Sequence, residues 1–134
     1  MRTIYVIVAA TLSLSACQIG ANAAKFEVAR NPEGAVVQLT TAAGKFDAEL
    51  LEVRDSGIVV LRKDGRVAFA PWKSTRFVSV RNIKMTVGYG GGGPPSRDAR
   101  AIMVLVSHFP QGMSAEIEKQ VLASRGQAEM VVIE

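Results

Sequence analysis

The sequence predicts an α+β protein: a small five-stranded β-barrel over residues 35–87, a Gly/Pro link over 88–95, and a helical hairpin with its tail over 96–134. Three observations predict it. From Ala35 onward, short β-type runs recur at roughly 8–12-residue spacing with turn residues between them. Beyond Gly88-Tyr89-Gly90-Gly91-Gly92-Gly93-Pro94-Pro95 the apolar period changes from two to about 3.6. Ahead of the β region lie a short apolar N-terminal segment and a stretch of small and polar residues.

The strands can be read in order. Val36-Val37-Gln38-Leu39-Thr40 is the first, and Ala43-Gly44 turns the chain. Phe46, Ala48, Leu50 and Val53 mark a longer second strand through Arg54, ended by the turn Asp55-Ser56-Gly57. Ile58-Val59-Val60-Leu61 and Val67-Ala68-Phe69-Ala70 flank the hairpin signal Lys63-Asp64-Gly65. Pro71-Trp72-Lys73-Ser74-Thr75 breaks the pattern with one tight turn before Phe77-Val78-Ser79-Val80. A last run, Ile83-Lys84-Met85-Thr86-Val87, either continues that strand or adds another. Trp72, with Leu50, Val60 and Phe69, is the expected core.

Strand, long bent strand, hairpin-linked pair, one-turn break, closing strand: this order resembles the SH3-like and Sm-like barrels. The Sm-like likeness is carried by Val37-Gln38-Leu39, Gly44, Ala48-Glu49-Leu50-Leu51, Val53, Asp55 and Leu61. It covers about 50 residues and implies a fold more than a function. Ala48 stands where that family has a second glycine, no Asn follows Asp55, and no Arg-Gly pair precedes the last strand. These departures remove most of the RNA-contacting residues that the resemblance would otherwise imply.

The N-terminus carries a more specific signal. Arg2 precedes an apolar run over residues 4–14, far below the ~20 residues that cross a bilayer. Leu14-Ser15-Ala16-Cys17 then resembles the lipobox of bacterial lipoproteins. That resemblance implies removal of residues 1–16 as a signal peptide, lipid on the Cys17 sulfur and acylation of the new amino terminus. It also answers why the sole cysteine of an exported chain has no disulfide partner. Gln18, where an Asp would imply inner-membrane retention, favours the periplasmic face of an outer membrane if the source has one. In a cell without one, the outer face of the cell membrane is the expected address. Residues 17–34, closed by Asn31-Pro32-Glu33-Gly34, read as a tether.

Past the link, Ser96 is placed to cap a helix through Ser107 whose buried face holds Ala99, Ile102, Met103 and Val106. Ser114 caps a second helix with Glu116 and Glu118 in its first turn, Ile117, Val121 and Leu122 on its apolar face, and Gly126 after its end. Met130-Val131-Val132-Ile133 is either a final strand or a packed tail. Two such helices cannot bury their stripes alone, so they should dock on the barrel or on a partner.

The residues that carry chemistry are few. Gly88, Gly90 and Gly93 fit the spacing G-x-G-x-x-G, but two prolines follow instead of a phosphate-binding helix start. No cofactor is expected beyond the lipid on Cys17. His108 is the only histidine, and no spacing supplies the partners that a triad or a metal site needs, so neither a catalytic nor a metal residue is assigned. Asp47 and Glu49 share one face of a strand and Glu52 the other, which reads as a solvated surface.

Charge is more suggestive. Without residues 1–16 the chain has fifteen basic residues against twelve acidic ones, a net charge of +3. Between Arg54 and Lys84 stand Arg54, Arg62, Lys63, Arg66, Lys73, Arg76, Arg81 and Lys84, opposed only by Asp55 and Asp64. Lysines and arginines on strand edges also prevent edge-to-edge pairing, which is the plainer reading. If the segment binds an anionic partner, Arg62, Lys63 and Arg66 around the hairpin tip are the candidates. The sequence therefore suggests a membrane-anchored, non-catalytic binding or assembly module of the cell envelope, meeting an envelope protein or an anionic component. An Sm-like nucleic-acid-binding barrel competes with it, although an exported address argues against nucleic acid. An envelope enzyme with an unrecognised site is a third reading.

Overall fold

The computed structural model describes residues 33–81, 85–88 and 93–134. The expected signal segment 1–16, Cys17, the tether as far as Pro32, Lys84 and the middle of the glycine link lie outside these residues. Seven strands and two helices follow one another: β1 (Val36–Thr41), β2 (Gly44–Val53), β3 (Gly57–Arg62), β4 (Val67–Pro71), β5 (Thr75–Val80), β6 (Met85–Gly88), α1 (Arg97–Val106), α2 (Ala115–Ser124) and β7 (Val131–Val132). A single 3₁₀ turn, Trp72–Ser74, joins β4 to β5. The class is α+β.

The strands form one mixed sheet in the order β6-β5-β1-β2-β3-β4-β7, antiparallel throughout except for the parallel pair β4 and β7. The expected five-stranded barrel is corrected on this point, because the sheet is not closed. Closure needs β4 to pair with β5, and both edges are occupied. On β4, Ala68 and Phe69 face Val131 and Val132, and the Gln127 side chain bonds both the N–H and the carbonyl of Val67 at 2.6 and 3.0 Å. On β5, residues Phe77 to Val80 pair with β6, which is the added strand rather than a continuation.

Strand alternation sorts the core into two clusters. Val37 and Leu39 of β1, Ala48 and Leu50 of β2, Ile58 and Val60 of β3, Ala68 and Ala70 of β4, and Val78 and Val80 of β5 enter the larger one, with Trp72. Met103 and Val106 of α1 cover it. Leu51, Val59 and Val67 enter the smaller one on the opposite face, covered by Leu122 of α2. The expected helical hairpin is thus corrected as well: α1 and α2 sit on different faces of the sheet. Phe69 is partly exposed and belongs to the second cluster, not to the core of Leu50, Val60 and Trp72.

The crossing between faces happens on β2, which is longer than β1. Beyond Glu49 its β1 side has no strand partner. There Leu50 N–H donates to Ala35 O, and the Leu50 and Leu51 carbonyls accept from His108 and Phe109 N–H, at 2.8–2.9 Å. Ala35 N–H donates in turn to Val106 O at 2.9 Å. Segment 106–109 therefore takes the place of a strand, satisfying backbone groups that would otherwise be buried unpaired. Gly34 has to be glycine for the same reason, since a Cβ there would lie 2.0 Å from Leu50 O.

Both helix starts form as their sequences predict. Ser96 Oγ accepts from Ala99 N–H at 3.3 Å, and Ser114 Oγ from Ile117 N–H at 3.2 Å. At the end of α2, Gly126 N–H and Gln127 N–H return to the carbonyls of Ala123 and Leu122.

Candidate functional site

The β3–β4 hairpin fixes the first part of the site. Arg62 N–H donates to Arg66 O and Gly65 N–H to Arg62 O, both at 2.9 Å, while Asp64 Oδ1 accepts from Arg66 N–H at 3.0 Å. Gly65 has φ +84°, a left-handed conformation that glycine adopts without a Cβ penalty. Arg62 and Lys63 are thereby held beside the start of β2. The Arg62 guanidinium lies 5.8 Å from the centre of the Phe46 ring and pairs with Asp64 at 3.3 Å.

Asp47 organises the rest. Its carboxylate receives Lys63 Nζ at 3.4 Å, Arg81 Nη2 at 3.0 Å and Gln38 Nε2 at 3.3 Å. These groups arrive from the hairpin, the end of β5 and β1, so one carboxylate links three separate parts of the sheet. Desolvation pushes the Asp47 carboxyl up, but the hydrogen bond from Lys63, the charge of Arg81 and the hydrogen bond from Gln38 outweigh it. The net effect holds the group below the ordinary aspartate value. An open cleft of about 400 Å³ lies here, lined by Gln38, Lys45, Phe46, Asp47, Arg62, Lys63 and Asp64. With Arg81, four cations surround two carboxylates. The Asp47 side chain is only 14 % exposed, whereas those of Lys63 and Arg81 are 78 % and 54 % exposed.

Of the three expected contact residues, Arg62 and Lys63 line the cleft. Arg66 is exposed at the hairpin end, and its side chain is not part of the lining. Lys45 was missed because it precedes the basic run in sequence. The ladder that faces Thr40 with Lys45 and Gln38 with Asp47 is what brings it in.

The expected solvated face of Asp47, Glu49 and Glu52 is corrected. A bulge at Leu51 sets Leu50 opposite Val60 but Glu52 opposite Val59, so the parity of β2 flips and Glu52 joins the face of Asp47 and Glu49. Each carboxylate is mostly sheltered and partnered. Glu49 Oε1 accepts from Gly34 N–H at 2.7 Å and stands 2.7 Å from His108 Nδ1. Glu52 accepts from Met113 N–H at 2.9 Å and pairs with Arg54 at 2.7 Å, and Arg54 reaches Glu118 of α2 at 2.6 Å. Burial works against the charge of Arg54, but the hydrogen bonds to Glu118 and Glu52 prevail and raise its pKa. His108 is accordingly a partner of Glu49 beside Gly34 and Ala35, where they meet the sheet.

Gly88 ends β6 and Gly93 leads into Pro94, while Gly90 lies outside the described residues. Among the described residues, no group of three or more His, Cys, Asp and Glu side chains is arranged to hold a metal ion. No helix among them is long and apolar enough to cross a membrane. Compared with protein-family models, curated proteins and solved structures, the chain matches none of them.

Proposed function

We propose that this chain is a bacterial-type lipoprotein, anchored through Cys17 in the cell envelope, whose domain is a non-catalytic module for binding an anionic partner. The domain is, in this reading, an open relative of the SH3-like and Sm-like barrels. Its support is the single cluster that receives inward side chains from β1 through β5. The observation that carries the binding role is the cleft around Asp47. Lys45, Arg62, Lys63 and Arg81 exceed the two carboxylates near them, and the side chains of Lys63 and Arg81 remain largely in water. Such an arrangement attracts acidic groups of a protein or an envelope polymer, and does so without reorganising the fold.

Asp47 would act there as a positioning group. It holds Lys63 and Arg81 over the sheet until a partner's anionic groups compete for them. The anchor supplies location, since each methylene buried in the bilayer contributes roughly 0.8 kcal/mol and more than one acyl chain makes attachment stable.

Two measurements test the reading. Intact mass and detergent partitioning of the wild type against Cys17→Ser address the anchor. An unmodified Cys17, or equal aqueous partitioning of both proteins, would sink that half. Retention on an immobilised acidic polymer across a salt gradient addresses the cleft. Contacts of this kind weaken as the screening length falls from ~10 Å at 0.1 M salt to ~3 Å at 1 M. Replacing Arg62, Lys63 and Arg66 with Gln should bring elution to lower salt with little change in stability. Identical elution of the two proteins would reduce the charges to a solvated edge.

A further inference from the structure

Among the described residues, the outer side of α1 is a further exposed surface. Met103 and Val106 are buried against the sheet, which turns the opposite side of the helix outward. Two helical rows run along it: Arg97, Ala101, Leu105, and beside it Arg100, Val104. Leu105 is 58 % exposed, the most exposed large apolar side chain among the described residues. A shallow apolar depression of about 420 Å³ is lined by Arg97, Arg100, Ala101, Val104 and Leu105. Asp98 neighbours Arg97, and Asp55 pairs with Arg100, so the surface is close to neutral and offers apolar area with guanidinium groups at its margin.

Its position relative to the anchor decides what it meets. Ala35 N–H bonds the carbonyl of Val106, and Gly34 packs against His108 N–H, so residues arriving from Cys17 join the domain at the last turn of α1. Residues 18–34 at full extension span no more than about 60 Å, which keeps this end of α1 within that distance of the lipidated sulfur. Attachment makes a weak second contact effectively intramolecular.

We infer that the Arg97, Ala101, Val104 and Leu105 face of α1 is a second membrane contact, laid on the phospholipid surface that carries the Cys17 anchor. Leu105 and Val104 enter the boundary between head groups and acyl chains, and the guanidinium of Arg97 meets lipid phosphate. The domain is then held with a fixed orientation instead of trailing from its tether. The inference rests on the anchored reading above and adds which face turns toward the lipid.

The test uses the full chain isolated with its lipid and reconstituted into phosphatidylethanolamine and phosphatidylglycerol vesicles, with or without bromine near the top of the acyl chains. Leu105→Trp reports from α1. Val132→Trp, at a position 57 % exposed on β7, is the reference, and the wild type gives the background from Trp72. An interfacial helix face lies ~5–10 Å into the boundary, so bromine should lower the added emission of Leu105→Trp roughly twofold and leave Val132→Trp unchanged. Adding Arg97→Glu should reverse much of that quenching. Equal quenching of both reporters, with lipid on Cys17 shown by mass and the protein floating with the vesicles, would overturn this inference alone. A Cys17 without lipid would remove the anchored reading and this inference with it, and mass spectrometry sees that separately.

Discussion

Leu50 and Leu51 are consecutive residues buried on opposite faces of the sheet, Leu50 in the cluster under α1 and Leu51 in the cluster under α2. Ordinary strand alternation makes this arrangement, and Leu51 is the extra residue of the bulge that follows, which leaves Glu52 on the face of Leu51. The bulge adds one residue to β2 without adding one to β3, and both leucines find apolar neighbours. Each Leu→Ala change should cost about 2–5 kcal/mol in denaturant unfolding. The side chains share no cluster, so coupling in the double variant should pass only through the shared backbone of the bulge and stay at the low end of that for neighbours, roughly 0.5 kcal/mol. A coupling well above that value would mean the clusters respond as one core.

Phe69 is the instructive contrast. It stands where alternation along β4 faces it toward Val59 and α2, and it is only partly buried. Phe69→Ala should therefore lose no more than about 3 kcal/mol, the lower limit for a large core aromatic. Trp72, almost wholly buried and hydrogen-bonded through Nε1 to Asp55 O at 3.0 Å, should lose more when changed to Ala. Chemical denaturation of both variants ranks them directly.

These two cases show where the sequence is readable. Ser96, Ser114, Gly126 and the Lys63-Asp64-Gly65 turn act on neighbours a few residues away, and each forms as its pattern predicts. The jump from Leu50 to Val53 in the apolar pattern already carried the trace of the bulge, since Val53 faces Ile58 on the same side as Leu50. Pairings across long stretches were not readable. Nothing in the local pattern tells that Val131 and Val132 lie beside β4, or that Arg81 and Lys63 converge on Asp47. Those depend on the order of the strands, and the occupation of the β4 edge by β7 was the missing fact.

The place where Gly34 meets the sheet should be intolerant of volume. Gly34→Ala places a methyl 2.0 Å from Leu50 O and 2.9 Å from His108 N, both backbone atoms fixed by hydrogen bonds. Overpacking of this sort costs typically 1–3 kcal/mol, and separating Gly34 from Glu49 adds the loss of a charge-assisted bond. Gly65→Ala has open space and only a left-handed backbone to satisfy, so about 1 kcal/mol is expected. Thermal melts that place Gly65→Ala below Gly34→Ala would contradict this ranking.

The Glu52, Arg54 and Glu118 chain ties β2 to α2 through a mostly buried carboxylate. Glu52→Ala leaves Met113 N–H without its acceptor and Arg54 with one partner, for which about 1–3 kcal/mol is reasonable. The raised pKa of Arg54 has a definite sign. A cation whose folded pKa is raised contributes fully below its unfolded value, so this contribution is constant across neutral pH and is lost only in strong alkali. Hydrogen exchange should show α2 opening more readily in Glu52→Ala while α1 keeps its protection.

The Asp47 carboxylate is both the organiser of the cleft and its counter-charge. Its pKa is depressed, chiefly by the Lys63 hydrogen bond and the Arg81 charge acting against desolvation. For a depressed acid, the stability contributed by the ionised form is present above the unfolded pKa and is lost as pH falls through the lower, folded value. Carbon-detected NMR should therefore find the Asp47 midpoint below the ordinary aspartate range, and Lys63→Gln should move it upward by removing the leading favourable contact. Retention should change in the opposite sense. Asp47→Asn removes one of the two carboxylates that oppose Lys45, Arg62, Lys63 and Arg81, so binding to an acidic polymer should survive to higher salt. If Asp47→Asn eluted earlier than the wild type, its role in positioning Lys63 and Arg81 would outweigh its charge. A midpoint at the ordinary value would show that the three contacts do not hold in solution.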